Sequence, residues 1–355
     1  MIGEELVQLL TPEGERVSHP EYEASLTNDQ IVSYYRDMVI VRRLCTESTS
    51  LQRQGQLALW APIQGQEAAQ IGAGRALATM DFTFPTYREH GIAWCRGVPP
   101  ADMLRLFRAT SNGGWDPQKY RHSVPTVVLG NQVLHAVGYA MGVQRDGAEE
   151  AVMAFFGDGA SSQGDVLESF VWASSYNAPI VFFCQNNQWG ISTPMSIQSK
   201  IPLYHRAHGF GFPGVRVDGN DLLAVYEVTK RALDNAREGS GPTLIEAHTY
   251  RLGAHTTSDD PTRYRIDAEV EVWRHRDPIE RVKALLVREG TVRASYFDEV
   301  AEEAEGIALQ LREDVLAMGK PNPLTIFDNV YADDHPLIEE GRREMVELGV
   351  AGGGH

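Results

Sequence analysis

The residues best suited to chemistry lie in two polar turns, each of which follows a run of apolar residues. A Gly-Asp-Gly turn with Asp158 at its centre follows the apolar run 152–156, and Asn187 follows the apolar run 180–184. Unbroken apolar runs of this length are typical of parallel strands that are buried on both faces. The carboxyl ends of such strands meet at one edge of a sheet, so we expect Asp158 and Asn187 to lie close together. A carboxylate and an amide oxygen form part of the oxygen shell that Mg²⁺ takes when it also binds a phosphate.

The segment between the two turns has the features of a helix that would support such a site. Residues 161–176 carry an apolar stripe at helical spacing, with Ser161 and Ser162 as capping candidates. The free N–H groups of this helix would face the same edge of the sheet, where they can receive phosphate oxygens. The two strands and the helix make a right-handed parallel unit. For either turn alone an ordinary turn or a strand cap is the better interpretation, so the prediction depends on their combination.

Composition limits the class of protein. The chain has 355 residues, of which 43% are hydrophobic, and it can bury a sizeable core. Its formal net charge of −16 and the lack of a Lys/Arg block argue against a nucleic-acid-binding surface. The three cysteines follow no metal-ligand spacing and are expected to be reduced. No apolar stretch reaches the ~18 residues of a membrane span and no targeting peptide is recognised, so a cytoplasmic protein is the simplest expectation.

The remaining segments outline one large α/β domain. Residues 1–26 mix Pro, Gly and charge, and we interpret them as an arm over the surface or a partner. A capping box at Thr27 is expected to begin the first helix. Gly72 and Gly74 lie within a small-residue helix at 67–78 and lack a third glycine, so close helix packing is favoured over dinucleotide binding. The sequence predicts further helices at 99–110, 221–237, 268–275, 277–289 and 294–318, strands near 81–88, 124–130, 215–219 and 243–249, and an acidic tail at 336–355.

Several other side chains have the potential to bind or react. Tyr87 and Arg88, at the end of an expected strand, offer donors suited to a phosphate, although an Arg stacked on a surface Tyr is commonplace. His255 lies in a long polar loop after the last expected strand, where a histidine is a general acid, a substrate clamp or a solvated side chain. His90 and His135 are expected to be packing residues, with His135 buried.

The Gly-Asp-Gly turn followed by Asn186 and Asn187 is similar to the thiamine diphosphate signature. From about residue 27 to beyond residue 331, the chain resembles the alpha subunit of the decarboxylating component of 2-oxo acid dehydrogenase complexes. The resemblance implies an α/β thiamine diphosphate-binding fold, in which helices flank a mostly parallel sheet and a helical C-terminal extension follows. We assign this domain to 27–335, after the N-terminal arm 1–26 and before the C-terminal tail 336–355.

The motifs of the family imply roles for individual residues. Magnesium, which bridges the cofactor diphosphate, would be held by the side chains of Asp158 and Asn187 and by the backbone carbonyl of Trp189. His255 becomes the best catalytic candidate. Thr256 matches a regulatory phosphoserine of eukaryotic relatives, which leaves regulation by a kinase open. The residues implied in cofactor binding are Tyr87, Arg88, Leu129, Gly130, Gly157, Asp158, Gly159, Ala160, Asn187 and His255.

The resemblance also implies a reaction and partners. The reaction is decarboxylation of a 2-oxo acid with thiamine diphosphate and Mg²⁺, followed by transfer of the acyl group to a lipoyl arm on an acyltransferase. A beta subunit would supply the glutamate that activates the cofactor, in an alpha2beta2 heterotetramer. Branched-chain substrates are preferred, with pyruvate and then acetoin as alternatives. Gln185 stands where relatives often have a basic residue, and candidates for an apolar substrate wall are Leu57, Leu59, Trp60 and Ile63.

Two other functions are consistent with the polar turns. A magnesium-dependent kinase or phosphatase would use Asp158 and Asn187 on a nucleotide, but the sequence lacks a GxxxxGK[ST] loop. A noncatalytic scaffold would have no need to combine these two residues with Arg88 and His255.

Overall fold

A parallel β-sheet of six strands forms the centre of the fold. The computed structural model describes residues 6–111 and 113–349. Its strands are β1 Leu6–Val7, β2 Phe82–Phe84, β3 Val152–Gly157, β4 Ile180–Asn186, β5 Trp189–Gly190, β6 Thr193–Pro194, β7 Gly214–Asp218 and β8 Thr243–His248. In the main sheet the order is β1-β7-β8-β4-β3-β2, and every neighbouring pair is parallel. The strands β5 and β6 form a separate antiparallel pair.

Helices cover both faces of this sheet and continue after its last strand. They are α1 Asn28–Arg53, α2 Glu67–Ala76, α3 His90–Cys95, α4 Pro100–Leu104, α5 Pro117–Tyr120, α6 Asn131–Asp146, α7 Gly164–Tyr176, α8 Met195–Gln198, α9 His205–Gly209, α10 Leu222–Arg237, α11 Asp267–Arg274, α12 Pro278–Arg288, α13 Tyr296–Ala317 and α14 Pro336–Glu347. The predicted class, a parallel sheet flanked by helices with a helical C-terminal part, is confirmed.

Alternate side chains of β3 and β4 project into two separate cores. Phe155 and Phe183 pack in the core that contains α1, α2 and α10. Phe156 and Phe182 pack in the core that contains α6 and α7. Because successive side chains of a strand point to opposite faces, a strand with a core on each face needs an apolar residue at every position. This requirement explains the two unbroken apolar runs, which pair directly as adjacent parallel strands.

Several local predictions are confirmed by side-chain contacts. Thr27 and Gln30 form the capping box that begins α1. Asp221 caps α10 by accepting a hydrogen bond from a backbone N–H of its first turn. Gly72 faces α10 so closely that an added Cβ would lie 2.9 Å from Cγ1 of Val225, as expected for a packing glycine. All three cysteines are free.

Three predicted elements are shorter than expected or absent. The strand β2 ends before Pro85, because proline has no N–H to continue the ladder, so the Tyr-Arg pair lies in a loop. The helix α4 ends at Leu104 rather than at residue 110, and Ala109 has a positive φ of 59° that a right-handed helix excludes. Of the predicted strand 124–130 only a single bridge at Thr126 is formed, because the neighbouring edge strand has already ended.

Two predictions about side chains at helix starts and faces are wrong. Ser161 and Ser162 do not cap α7, because they lie in a 3-10 turn that precedes it. The hydroxyl of Ser161 instead donates to the backbone carbonyl of Asp158 at 2.6 Å and tightens that turn. His135 is exposed rather than buried, because the buried stripe of α6 passes through Val133, Ala136 and Val137 on the other side of the helix.

The two ends of the described chain are more structured than the sequence suggested. The strand β1 extends the sheet beside β7, and Leu9 and Leu10 are buried. A carboxylate oxygen of Asp221 accepts hydrogen bonds from both of their N–H groups at 2.6 Å. Within the predicted tail, α14 is a regular helix. The domain limits 27–335 stay a prediction. Among the described residues, no helix is both long and apolar enough to cross a membrane.

Candidate active site

A cavity of about 660 Å³ opens at the carboxyl ends of the central strands. Asp158 follows β3, Asn187 follows β4, and Arg251 lies just beyond β8. Because β3, β4 and β8 are neighbours in the sheet, these three side chains line the same cavity. The predicted site residues that the structure brings together here are Tyr87, Arg88, Leu129, Gly157, Asp158, Gly159, Ala160, Asn187, Trp189 and His255. Gly130 lies behind this lining, where an added Cβ would meet side chains of Gln163 and Val166.

Asp158 is a buried carboxylate at the floor of the cavity. Its residue surface is 1% exposed, and burial raises the pKa of its carboxyl group to about 6. One carboxylate oxygen, Oδ2, accepts a hydrogen bond from Nε2 of Gln198 at 2.8 Å. A carboxylate held out of water is stabilised by a cation placed against it. The environment of Asp158 therefore fits a metal ion better than an ordinary turn.

Asn187 and Trp189 present two neutral oxygens beside this carboxylate. Oδ1 of Asn187 accepts from the Trp189 N–H at 3.3 Å, and its Nδ2 donates to Oε1 of Gln66 at 3.1 Å. The backbone carbonyl of Trp189 accepts from Nη1 of Arg251 at 2.9 Å. Within the described ranges, no group of three or more His, Cys, Asp or Glu side chains is placed to hold a metal ion. A cation at this position would therefore depend on amide and carbonyl oxygens, as Mg²⁺ sites do.

Two arginines converge on His255 at the other side of the cavity. Nη2 of Arg88 donates to the His255 carbonyl at 2.8 Å and lies 3.2 Å from its Nδ1. Nη1 of Arg251 lies 3.4 Å from the same ring nitrogen. The backbone N–H of His255 donates to Oδ2 of Asp259 at 2.8 Å, which fixes the loop. Arg88 also lies 5.5 Å from the ring centre of Tyr87, so the predicted Tyr-Arg pair belongs to the site rather than to the open surface.

The protonation state of His255 follows from these contacts. Burial and the positive charges of Arg88 and Arg251 lower the pKa of His255 to about 3. Its ring is therefore neutral at pH 7 in this arrangement. A guanidinium only donates hydrogen bonds, so Nδ1 is the acceptor and Nε2 carries the ring proton. His255 is thus arranged as a neutral hydrogen-bond donor.

A network of buried amides and a carboxylate supports one wall of the cavity. Nε2 of Gln185 donates to Oε1 of Glu89 at 2.6 Å, and Oε1 of Gln185 accepts from Nε2 of Gln70 at 3.1 Å. Burial raises the pKa of the Glu89 carboxyl group. Gln185 lines the cavity, but its amide is engaged on both sides by protein groups. Its side chain therefore positions the wall of the cavity.

The cavity also has an apolar part. Leu59 lines it, together with Phe107, which sequence analysis did not identify. The other three candidates for a substrate wall are wrong. Leu57, Trp60 and Ile63 are buried in the core that contains α1, α2 and α10, and they do not line the cavity. Further apolar lining residues are Val127, Leu129, Ile191 and Ile197.

Two residues of the site, Arg251 and Gln198, were not predicted from the sequence. The position of Arg251 just after a buried strand is the same signal that identified Asp158 and Asn187, so it was available in the sequence. Gln198 lies at the end of the short helix α8, 40 positions after Asp158 in the chain. No pattern in the sequence indicates that its side chain returns to Asp158.

The fold and the cavity together define the class of protein. A parallel α/β sheet with a carboxylate, amide and carbonyl oxygens and two arginines at its carboxyl edge is typical of an enzyme that binds a phosphorylated ligand. The model of the dehydrogenase E1 component family matches residues 35–321, and the chain belongs to that family. Membership implies the use of thiamine diphosphate, and the resemblance inferred from the sequence is confirmed.

Two kinds of relative cover most of the chain. The 3-methyl-2-oxobutanoate dehydrogenase subunit alpha of Mycobacterium tuberculosis is 43% identical over 342 residues, which are 96% of this chain and 93% of the relative. The pyruvate dehydrogenase E1 component subunit alpha of Staphylococcus aureus is 40% identical over 304 residues, which are 85% of this chain and 82% of the relative. The protein of the same name from Staphylococcus epidermidis has the same identity and coverage.

Proposed function

We propose that this chain is the alpha subunit of a branched-chain 2-oxo acid dehydrogenase, in the component that decarboxylates the substrate and passes the acyl group to a lipoyl arm. The observation that carries the proposal is the 43% identity, over 96% of the chain, to a subunit named for 3-methyl-2-oxobutanoate. The apolar part of the cavity supports it, because an aliphatic side chain needs such a surface. Pyruvate is the second candidate, supported by the 40% identical relatives.

The residues of the cavity fit thiamine diphosphate with Mg²⁺. We assign the cation to the side chains of Asp158 and Asn187 and to the Trp189 carbonyl, which all line the cavity. The buried Asp158 supplies the negative charge, and the two other oxygens are neutral. Gly159 lines the cavity without a side chain, so its backbone would be accessible to the diphosphate. Arg88 donates to the diphosphate, with Tyr87 beside it.

The chain's own residues also position the substrate. When bound, thiamine diphosphate supplies the electron sink for decarboxylation. His255 donates from Nε2 to an oxygen of the substrate or diphosphate, and Arg88 and Arg251 hold its ring in that tautomer. Leu59 and Phe107 exclude water on the apolar side. None of these residues acts as a base toward the cofactor, and Glu89 is already bonded to Gln185.

We propose that a beta subunit completes this site. Val127, Val128 and Leu129 are 60%, 70% and 40% exposed next to the cavity mouth. On α7, Trp172 and Tyr176 stack at 5.6 Å with about half of each surface exposed. Exposed apolar groups of this kind are typical of interaction surfaces. We assign them to a beta subunit that supplies the activating glutamate in an alpha2beta2 heterotetramer, and the assembly passes its acyl group to a lipoyl-bearing acyltransferase.

The substrate is tested by reconstitution with the beta partner. Decarboxylation is measured with 3-methyl-2-oxobutanoate, 4-methyl-2-oxopentanoate and pyruvate under the same conditions. Each additional methyl or methylene in an apolar pocket contributes ~10-fold or more to kcat/KM, so we expect both branched substrates to exceed pyruvate by at least that factor. A preference for pyruvate would replace the branched-chain assignment and leave the cofactor assignment in place.

The cofactor site is tested separately by calorimetry. Thiamine diphosphate is titrated into the protein with and without Mg²⁺, and into the variant Asp158→Ala. Binding should require Mg²⁺ and be lost in the variant, whose fold should change little because the Asp158 side chain lines a cavity instead of packing in either hydrophobic core. Unchanged affinity in Asp158→Ala would refute the metal assignment.

A further inference from the structure

Gln198 reaches Asp158 from a separate segment of the chain. Its Nε2 donates to Oδ2 of Asp158 at 2.8 Å and to the carbonyl of Thr193 at 3.3 Å. An amide nitrogen has two N–H groups, so both are used and the orientation of the amide is fixed. Its oxygen, Oε1, must then point away from Asp158. Among the described residues, none donates a hydrogen bond to Oε1, and Gln198 lines the cavity.

Two glycines, Gly159 and Gly190, leave the space that this amide occupies. A Cβ added at Gly190 would be 3.2 Å from Nε2 of Gln198, 3.3 Å from its Oε1 and 3.3 Å from Cα of Gly159. A Cβ added at Gly159 would be 3.2 Å from Cα of Gly190. These separations are tighter than ordinary van der Waals contact. A side chain at Gly190 would press on the amide, whereas one at Gly159 would press on the backbone of Gly190 and lie 3.8 Å from Oε1 of Gln198. The turn after β3 and the hairpin of β5 and β6 are therefore shaped to admit Gln198.

We infer that Gln198 is a positioning residue for the cation, and this inference rests on the magnesium site proposed above. Donation to Oδ2 orients the Asp158 carboxylate so that Oδ1 remains for the metal. Mg²⁺ usually retains water molecules, and Oε1 of Gln198 accepts a hydrogen bond from one of them. Hydrogen bonds from a residue that does not bind the metal to the residues that do fix the geometry of the ligands and contribute substantially to metal affinity. A second arrangement, in which the amide merely occupies the place of the cation, predicts the opposite effect of removing it.

The test measures metal binding rather than activity. Mn²⁺ replaces Mg²⁺, and its free concentration is followed by electron paramagnetic resonance in the presence of thiamine diphosphate. The full chain is compared with Gln198→Leu, which keeps the size of the side chain and removes its polar atoms. Gln163→Leu is the matched control, because Gln163 is exposed and its side chain does not cap the nearby helix α7. Thermal unfolding without metal checks that both variants are folded.

The direction of the change decides the inference. We expect Gln198→Leu to weaken Mn²⁺ binding by about 10- to 100-fold, the range found for outer hydrogen-bond partners of metal ligands. The Gln163→Leu control should match the unaltered protein, and all three proteins should unfold at the same temperature without metal. Equal affinity in Gln198→Leu, or tighter binding, would overturn the inference while leaving the cation site intact. If the unaltered chain binds no Mn²⁺ with thiamine diphosphate, the proposed cofactor site itself fails, and the role of Gln198 fails with it.

Discussion

The contact between α2 and α10 at Gly72 provides a quantitative test of the packing that supports the site. Replacing Gly72 with Ala adds one Cβ, which would lie 2.9 Å from Cγ1 of Val225, 3.0 Å from its Cβ and 3.2 Å from the carbonyl of Leu222. Two carbon atoms in contact normally lie ~3.5 to 4.0 Å apart, so the helices must separate locally by roughly 0.5 to 1 Å. Neither a β-branched side chain nor a backbone carbonyl can turn away.

The magnitude follows from two opposing effects. Overpacking of one methyl group costs about 1 to 3 kcal/mol. Alanine in a helix interior is favoured over glycine by about 1 kcal/mol. Gly72→Ala should therefore reduce the free energy of unfolding by up to about 2 kcal/mol. Gly138 of α6 is the matched control, because no atom lies within 4 Å of its added Cβ. Gly138→Ala should increase the free energy of unfolding by about 1 kcal/mol, since only the helix preference applies.

The assay is urea denaturation of the two variants and the unaltered chain, followed by circular dichroism. The quantity of interest is the difference between the two variants, which should be about 1 to 3 kcal/mol in favour of Gly138→Ala. If both substitutions change stability by the same amount, close packing is not the reason for glycine at position 72.

Three further predictions concern charge, pH and the site. Burial lowers the pKa of His122 to about 3, whereas a histidine in the unfolded chain has a pKa near 6.5. Between these two pH values the unfolded chain binds one more proton than the folded chain, so the free energy of unfolding decreases as the pH falls from 6.5 toward 3. His122→Asn should flatten the decline in unfolding free energy between pH 6.5 and 4 by about 1.4 kcal/mol per pH unit, and an unchanged slope in urea titrations would contradict this. Glu67 is fully buried and forms an ion pair with Arg42 at 2.8 Å, so Glu67→Ala should reduce the free energy of unfolding by about 3 to 5 kcal/mol in the same assay. A reduction below about 1 kcal/mol would show that the ion pair is dispensable. Gly190→Ala should leave the unfolding temperature nearly unchanged but weaken Mn²⁺ binding by displacing Gln198. Normal Mn²⁺ binding would argue against the close contact between Gly190 and the Gln198 amide.

The sequence by itself determined the centre of the fold. Residues 152–156 and 180–184 are apolar at every position, and only strands with a core on each face need that pattern. Once they are adjacent parallel strands, the polar residues that follow them must meet at one edge, which is why Asp158 and Asn187 were identified correctly as neighbours. The capping box at Thr27 was equally predictable from the sequence, because a cap depends on residues within one turn of the helix.

Only the tertiary structure decided which distant groups complete the site and in what state. Gln198 lies 40 positions after Asp158, beyond α7, β4 and the hairpin of β5 and β6, and the two side chains meet where Gly159 and Gly190 allow the turn after β3 and the hairpin to approach each other. Trp60 packs in the core against His90 and Phe107, whereas its neighbour Leu59 lines the cavity, and only the folded chain decides which of the two faces the ligand. The neutral state of His255 was also beyond the sequence. Its pKa reflects burial and two arginines brought to one ring nitrogen by separate loops, and such charge arrangements exist only after the chain has folded.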